Sequence, residues 1–329
     1  MTGDTAHRPS LPLGARRIKK VPSASLSTGR FAVVLNGKEM NALSEAVLVY
    51  LNGRYLPPEQ ALVSFQDRGF VFADGIYEVI RCYGGVPFRL QAHLNRLAES
   101  AAAIWLPPPP LEELNEVCRT LLRRSGLAEA SLYLQVTRGA APRQHLFPPG
   151  VPPTLLATVQ PADVPPPATR ETGVAAVTVP DERWDLCQVK SIGLLANVLA
   201  KEKARRAGAY EAVFVRDGVV TEGASSNLFA VWNGRLRTHP AGRRILAGVT
   251  RTAILETARA AGLAVLEDPF TLEELRQADE IIMSSTVMEL MPVTRLDGAP
   301  IGAAVPGAVH RTLAAGFAAL VEEAIRAGR

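Results

Sequence analysis

Lys190 is the residue whose type and setting point most directly to chemistry. The chain has six lysines against thirty arginines, and beyond residue 45 only Lys190, Lys201 and Lys203 remain. Lys201 and Lys203 belong to Lys201-Glu202-Lys203-Ala204-Arg205-Arg206, a charged run expected on the solvated face of a helix. Lys190 sits between apolar stretches, in Gln188-Val189-Lys190-Ser191-Ile192-Gly193-Leu194-Leu195-Ala196-Asn197. A guanidinium stays protonated in a protein, whereas a desolvated amine can lose its proton and attack carbon. That chemistry is Schiff-base formation. A lysine at a strand-to-helix junction, its ammonium in water, fits the stretch equally well.

Thirty-two residues on comes Thr221-Glu222-Gly223-Ala224-Ser225-Ser226-Asn227, a polar turn between two strands. If Lys190 holds pyridoxal phosphate, a carboxylate must keep the pyridine nitrogen protonated, because the pyridinium accepts electrons from the substrate carbanion. Glu222 meets that need; a turn glutamate in water is the other reading. A phosphate calls for free amides and positive charge. Leu246-Ala247-Gly248-Val249-Thr250-Arg251 runs a glycine loop straight into a helix start, whose amides can bind an anion. Ser284-Ser285-Thr286 offers hydroxyls and Arg96 a charge. Arg143 and His145, two residues apart in Pro142-Arg143-Gln144-His145, could grip a carboxylate, although a plain surface loop reads the same.

The elements that must carry these residues fall into an α+β pattern. Asn52-Gly53 reads as a hairpin turn between short strands, and Gly84-Gly85 as another. The run 65–75, rich in glycine and aspartate, reads as a loop. Helical spacing appears over 91–106, with Trp105 on its apolar side, and over 111–124 before Gly126. Strands are expected at 76–83 and 131–136, and 154–159 is a short apolar run between two proline clusters. The proline-rich stretch 148–167 suggests a boundary, giving a small domain at 46–163, a linker at 164–172 and a larger domain at 173–329. In that second part strands at 173–179, 211–216, 219–220, 227–231 and 279–283 alternate with helices at 193–207, 250–262, 271–277 and 308–327.

Composition bounds the function. With 47% hydrophobic and 21% charged residues the chain is an ordinary globular protein. Its net charge of +4 comes largely from the first thirty residues, so the body gives no sign of nucleic-acid binding. Residues 1–45 are expected to be a disordered leader or to follow a start codon placed too early. No apolar run reaches the roughly 18 residues of a membrane span. Cys82, Cys118 and Cys187 are widely spaced and read as reduced thiols, which suits the cytoplasm, and no metal site is expected. Nucleotide fingerprints and the Gly-x-Ser-x-Gly elbow are absent, which removes support for nicotinamide enzymes, nucleotide hydrolases and that type of hydrolase.

Several motifs in order resemble the class IV aminotransferases of fold type IV, most closely the D-amino acid branch. They include Asp67-Arg68-Gly69, Asp74-Gly75-Ile76-Tyr77-Glu78-Val79, His93-Leu94-Asn95-Arg96-Leu97, Gln135-Val136-Thr137-Arg138-Gly139 and Pro142-Arg143-Gln144-His145. Val189-Lys190-Ser191, the Glu222 turn, Thr238-His239-Pro240 and the Gly248 loop continue the series. The resemblance implies a two-domain fold with pyridoxal 5'-phosphate joined to Lys190 and its ring nitrogen on Glu222. Arg96, the Val249 and Thr250 amides, Ser285 and Thr286 would hold the phosphate. Tyr77, Arg143 and His145 would trap the substrate carboxylate. It also implies a homodimer, its active site between the domains and near the subunit interface.

The activity implied is ping-pong transfer of an amino group from a D-amino acid, of the D-alanine or D-glutamate type, to 2-oxoglutarate or pyruvate. A branched-chain L-aminotransferase or an aminodeoxychorismate lyase of the same fold is the alternative. A non-catalytic protein using its basic tail is the rival of another class. The chain departs from the family in its first 45 residues and at Ala224, where a serine is common.

Overall fold

A computed structural model describes residues 48–328, so the expected leader lies outside the described residues. β1 (Val49–Leu51) and β2 (Arg54–Leu56) form the opening hairpin, with Asn52 and Gly53 at φ 47° and 85°. Two left-handed residues in succession make the turn for which Asn-Gly is suited. The run expected as a loop contains a short helix, α1 (Arg68–Phe72), whose start is fixed by the Asp67 carboxylate accepting from the Gly69 amide at 2.8 Å. There follow β3 (Gly75–Tyr83), β4 (Val86–Pro87), α2 (Leu90–Ala103), α3 (Leu111–Ser125), β5 (Ala130–Thr137) and β6 (Thr154–Pro161).

These strands form an antiparallel sheet in the order β2-β1-β6-β5-β3-β4. Helices α2 and α3 close one face. Leu94, Leu97 and Leu121 pack there among Ile76, Ile80, Leu132 and Leu134. Helix α2 stops at Ala103, earlier than the spacing predicts, because four prolines follow Leu106 and cannot continue a helix. Trp105 takes a left-handed φ of 52° and turns outward, and Leu106 folds back into the core.

After α4 (Pro167–Thr172), the chain runs through β7 (Val174–Pro180), α5 (Leu195–Arg206), β8 (Glu211–Arg216), β9 (Val219–Gly223), β10 (Asn227–Trp232) and β11 (Arg235–Thr238). Then come α6 (Val249–Ala260), β12 (Val265–Glu267), α7 (Leu272–Arg276), β13 (Glu280–Ser285), β14 (Glu289–Leu296), β15 (Ala299–Pro300) and α8 (Ala308–Gly328). Their nine strands make a mixed sheet ordered β12-β11-β10-β13-β14-β7-β8-β9, with β15 against β14. Central strands are buried on both faces, which alternation along β10 makes plain. Leu228 and Ala230 join a core with Phe270, Met283 and Met291, whereas Phe229 and Val231 meet α6 and α8 through Ile254, Leu313 and Phe317.

The α+β class follows from these two sheets and their helices. The topology also decides where the chemistry can sit. Glu222 lies near the end of β9, Asn227 at the start of β10 and Ser284 near the end of β13, all at strand ends of the second sheet, and Asn227 is the register partner of Ser284.

Candidate active site

The Lys190 segment is fastened to the first sheet rather than the second. Its amide donates to Ser100 Oγ at 3.1 Å, and its carbonyl accepts from the Tyr77 amide at 3.0 Å. The Ile192 amide donates to Gly75 O at 3.1 Å. A side chain carried by the chain after β7 is thus set against β3 and α2. Lys190 Nζ lies 4.3 Å from the centre of the Tyr77 ring. Enclosure in protein pushes the ammonium down to about 8, and the Arg96 guanidinium pushes the same way.

Arg96 is itself held rigidly. Its Nε and Nη2 donate to the two oxygens of Glu78 at 2.7 Å each, and Nη1 donates to Ala247 O at 2.9 Å. His93 Nδ1 is 2.8 Å from the same carboxylate. Burial alone would raise the Glu78 pKa, but the Arg96 charge and its paired hydrogen bonds bring it down to about 2. Glu78, buried completely, is the residue that orients Arg96, and sequence reasoning gave it no role.

Arg96 reaches the start of α6 through Ala247. Gly248 caps that helix with no side-chain hydrogen bond, and the first amides, of Val249 and Thr250, have no partner within the helix. A Cβ on Gly248 would overlap Asn227 Oδ1, so the close approach of Asn227 explains the glycine. Asn227 Nδ2 in turn donates to Glu222 Oε2 at 2.9 Å and to Leu246 O at 2.8 Å. Glu222 is 5% exposed. Burial raises its carboxyl to about 7, against the lowering effect of Arg183, whose Nη1 donates to Oε1 at 2.6 Å.

Lys190, Tyr77, Arg96, Asn227, Glu222, Arg183 and the start of α6 line one cavity of about 460 Å³, with Glu78 and His93 behind its wall. Tyr77, Arg96, Lys190 and Glu222 form one part of its wall, and Val249, Thr250, Ser285 and Thr286 another. Ser284 Oγ also lines it, buried and without a partner among the described residues. Arg143 and His145 are not brought there. Both are exposed and lie against Phe72, the Arg143 guanidinium 5.1 Å and the His145 ring 5.4 Å from the Phe72 ring centre. His145 lines a neighbouring cavity of about 600 Å³ that shares Trp184, Ser191 and Gly193 with the first.

Lys201, expected on a solvated face, has a side chain 43% exposed and also lines the first cavity, 3.2 Å from the buried Glu211. The run Lys201–Arg206 gave no sign of this, because the acid lies on β8. Arg183 was missed as well. Its only signal was a basic residue after two acids, a pattern common on surfaces.

The family model for class IV amino-transferases matches residues 75–296. The chain belongs to the class IV aminotransferases. It is 44% identical to the D-alanine aminotransferase of Staphylococcus epidermidis over 271 residues, 82% of this chain and 96% of that protein. With the D-alanine aminotransferase of Bacillus licheniformis it shares 41% over 266 residues, 80% and 94% of the two chains. Among solved structures, the Escherichia coli branched-chain amino acid aminotransferase superposes with a TM-score of 0.78 at 29% identity, covering 83% of this chain and 94% of that one. The branched-chain enzyme of T.th., solved in complex with N-(5'-phosphopyridoxyl)-L-glutamate, gives 0.76 at 28% identity, covering 84% and 94%.

This aminotransferase uses pyridoxal phosphate, and the cavity suits that group. A phosphate calls for cationic and N–H donors, which Arg96 and the open amides of α6 supply. Lone Ser284 Oγ is an orphaned polar atom in the same wall. Glu222 has about four acceptor positions. Arg183 and Asn227 each take one, and the Leu246 amide is shared between Oε1 and Oε2 at 3.2 and 3.1 Å, so this cavity-lining carboxylate keeps acceptor capacity.

Proposed function

We propose that this enzyme moves the amino group of a D-amino acid, of the D-alanine or D-glutamate type, to a 2-oxo acid such as pyruvate or 2-oxoglutarate. The observation that carries the chemistry is the single cavity in which Lys190, its ammonium lowered to about 8, stands with the buried Glu222 and the open start of α6. The D-series is supported by the relatives above, 41% to 44% identical and named D-alanine aminotransferase. The likeness to branched-chain enzymes, at 28% to 29% identity, is what favours the L-specific alternative.

Pyridoxal phosphate, when bound, supplies the electron sink that lets a substrate carbanion form. Lys190 would hold the cofactor through its amine and, once displaced by the amino group of the substrate, that amine would take the Cα proton and later give it back to carbon. A lowered pKa serves that role, since a base works best near the operating pH. Glu222 would accept from the ring nitrogen and keep it protonated. Arg96, the Val249 and Thr250 amides, Ser285 and Thr286 hold the phosphate. Two half-reactions on one site make the kinetics ping-pong.

The carboxylate trap is Tyr77 with Arg143 and His145. The last two do not line the Lys190 cavity of their own chain. Around them the surface is apolar: Phe65, Phe70, Trp105 and Leu146 are 77% to 80% exposed, and Leu195 on α5 is 72% exposed. Such a band marks an interface. The enzyme acts as a homodimer in which Arg143 and His145 of one copy complete the site of the other. Its three cysteines are free buried thiols, as suits a reducing cytoplasm.

The test is a transamination screen of the purified protein with D-alanine, D-glutamate, L-leucine and L-valine against pyruvate and 2-oxoglutarate. Turnover confined to the two L-amino acids would overturn the reading.

A further inference from the structure

Arg183 is the cation within ion-pair distance of Glu222 among the described residues. Its side chain is 7% exposed and lines the same cavity. Nη1 donates to Glu222 Oε1 at 2.6 Å. On its other edge, Nε and Nη2 each donate to Asp181, at 2.9 Å, in the paired geometry that a planar guanidinium makes with a carboxylate. Nη2 also reaches Arg244 O at 3.4 Å, and the guanidinium lies 4.3 Å from the centre of the Phe214 ring. A side chain gripped on both edges and across its face has one orientation.

Asp181 is anchored just as firmly. Its side chain is 0% exposed, Thr221 Oγ1 donates to Oδ2 at 3.0 Å, and Arg216 Nη2 stands 3.1 Å from Oδ1. Thr221 is the residue before Glu222, so the chain that carries the glutamate also carries a tie to the clamp. Acid, base and acid form a row, with the cavity at its far end.

A buried carboxyl needs such a clamp. The groups that bear on Glu222 are Arg183 and Asp181 after β7, Cys187 and Lys190 further along that segment, Tyr77 from β3, and Arg216 from β8 behind Asp181. Asp181 repels its charge and burial opposes it, so the carboxyl sits near 7 even with Arg183 in place. Removing the guanidinium pushes it higher and leaves Oε1 with only the long Leu246 amide contact of 3.2 Å.

We propose that Arg183 is a positioning residue: gripped by Asp181, it fixes the plane and the negative charge of Glu222 and so sets the contact to the cofactor ring nitrogen. The inference rests on the role given to Glu222 above. It assigns Arg183 no contact with the reacting atoms.

The experiment compares Arg183→Gln, Arg183→Lys, Glu222→Gln and the Arg183→Gln/Glu222→Gln double variant as holoenzymes, after checking their melting. Three readouts are taken with D-alanine and pyruvate: the pH profile of kcat/KM, the split between kcat and KM, and cofactor retained through dialysis. Arg183→Gln is expected to lower kcat at least roughly tenfold with little change in KM. Its acid limb should move up by about one pH unit or more, with cofactor retained less well. Arg183→Lys keeps the charge without the fork, so its acid limb should return toward the parent's while kcat stays low. The double variant should be no worse than Glu222→Gln alone, because both act through one group.

A folded Arg183→Gln with the parent's pH profile and cofactor retention overturns the proposal, as does a double variant whose losses multiply. Should Arg183→Gln fail to fold, Arg183→Lys decides, and a parent kcat in that variant overturns the proposal. A parent-like Glu222→Gln is a different result: it removes the role of Glu222 itself.

Discussion

Asn227 Nδ2 donates at 2.9 Å to Glu222 Oε2, and the same amide reaches Leu246 O at 2.8 Å, two residues before the Gly248 cap of α6. One side chain thus ties the turn that carries the buried acid to the helix start that offers free amides. The distance between the ring-nitrogen end and the phosphate end of the proposed cofactor site is set by that tie.

Asn227→Ala is therefore expected to weaken cofactor binding and to lower the melting temperature, because Leu246 O loses its donor inside the protein. An unmet buried polar group costs ~1–3 kcal/mol. Gly248→Ala should weaken binding as well, since its Cβ would overlap Asn227 Oδ1. Cofactor affinity measured by fluorescence titration checks both. Parent affinity in both variants would show that the tie is dispensable.

Lys190→Ala is expected to abolish turnover while leaving melting close to the parent's, because among the described residues its side chain makes no hydrogen bond or ion pair. Borohydride should no longer fix the cofactor to the chain. In the cofactor-free parent, attachment of added cofactor to Lys190 should speed up as pH climbs toward about 8, where the unbound Lys190 ammonium gives up its proton and can attack carbon. A Lys190→Ala protein that still turns over would end the assignment.

Much of this site was legible in the sequence because its parts are local. Lys190 stood out by residue type, Glu222 by a polar turn between strands, and Val249 and Thr250 by a glycine running into a helix. What could not be read were partners set by tertiary approach. Nothing near Lys201 in sequence announces Glu211, and nothing near Glu222 announces Arg183. Strand β14 was missed for a local reason: Pro292 cannot donate to a ladder and so argues against a strand, yet the structure pairs it with Ile282 and bulges the strand between Val293 and Arg295. The short helix α1 hid in a run whose glycines and aspartates suggest a loop, although Asp67 was a sound cap.

Glu78→Gln tests the support beneath Arg96. Glu78 is held near 2, below its usual 4.5, so its contribution to stability is complete above about 4.5 and is lost as pH falls toward 2. At neutral pH the variant leaves a buried guanidinium without its ion pair, a loss of about 3–5 kcal/mol. The gap between parent and variant should narrow as pH falls through that window. Denaturant unfolding across a pH series measures it, and a gap independent of pH would contradict the assignment.

Substrate handedness depends on which side the carboxylate is held, because the Cα–H bond must face Lys190 for the proton to leave. With Arg143 in the trap, Arg143→Ala should raise KM for D-alanine and D-glutamate by roughly 10- to 100-fold, the equivalent of about 1.5–3 kcal/mol for a charged hydrogen-bonded contact. L-leucine and L-valine should be poor donors to parent and variant alike. Unchanged kinetics for the D-amino acids would remove Arg143 from the trap.

The final prediction concerns where Arg143 acts. In one chain it lies exposed against Phe72, outside the cavity that holds Lys190, so a trap made of Tyr77, Arg143 and His145 needs a second copy. Two defective variants then complement each other. A Lys190→Ala chain supplies an intact Arg143, and an Arg143→Ala chain supplies an intact Lys190. In the mixed dimer one of the two sites has both, so it should regain about half of the parent activity at low D-alanine concentration. The other site, with neither, stays silent. Mixed dimers isolated through two different affinity tags, assayed beside each parent variant, give the answer. If Arg143 served the site of its own chain, neither site of the mixed dimer would be whole, and the activity would stay at the average of the two defective homodimers.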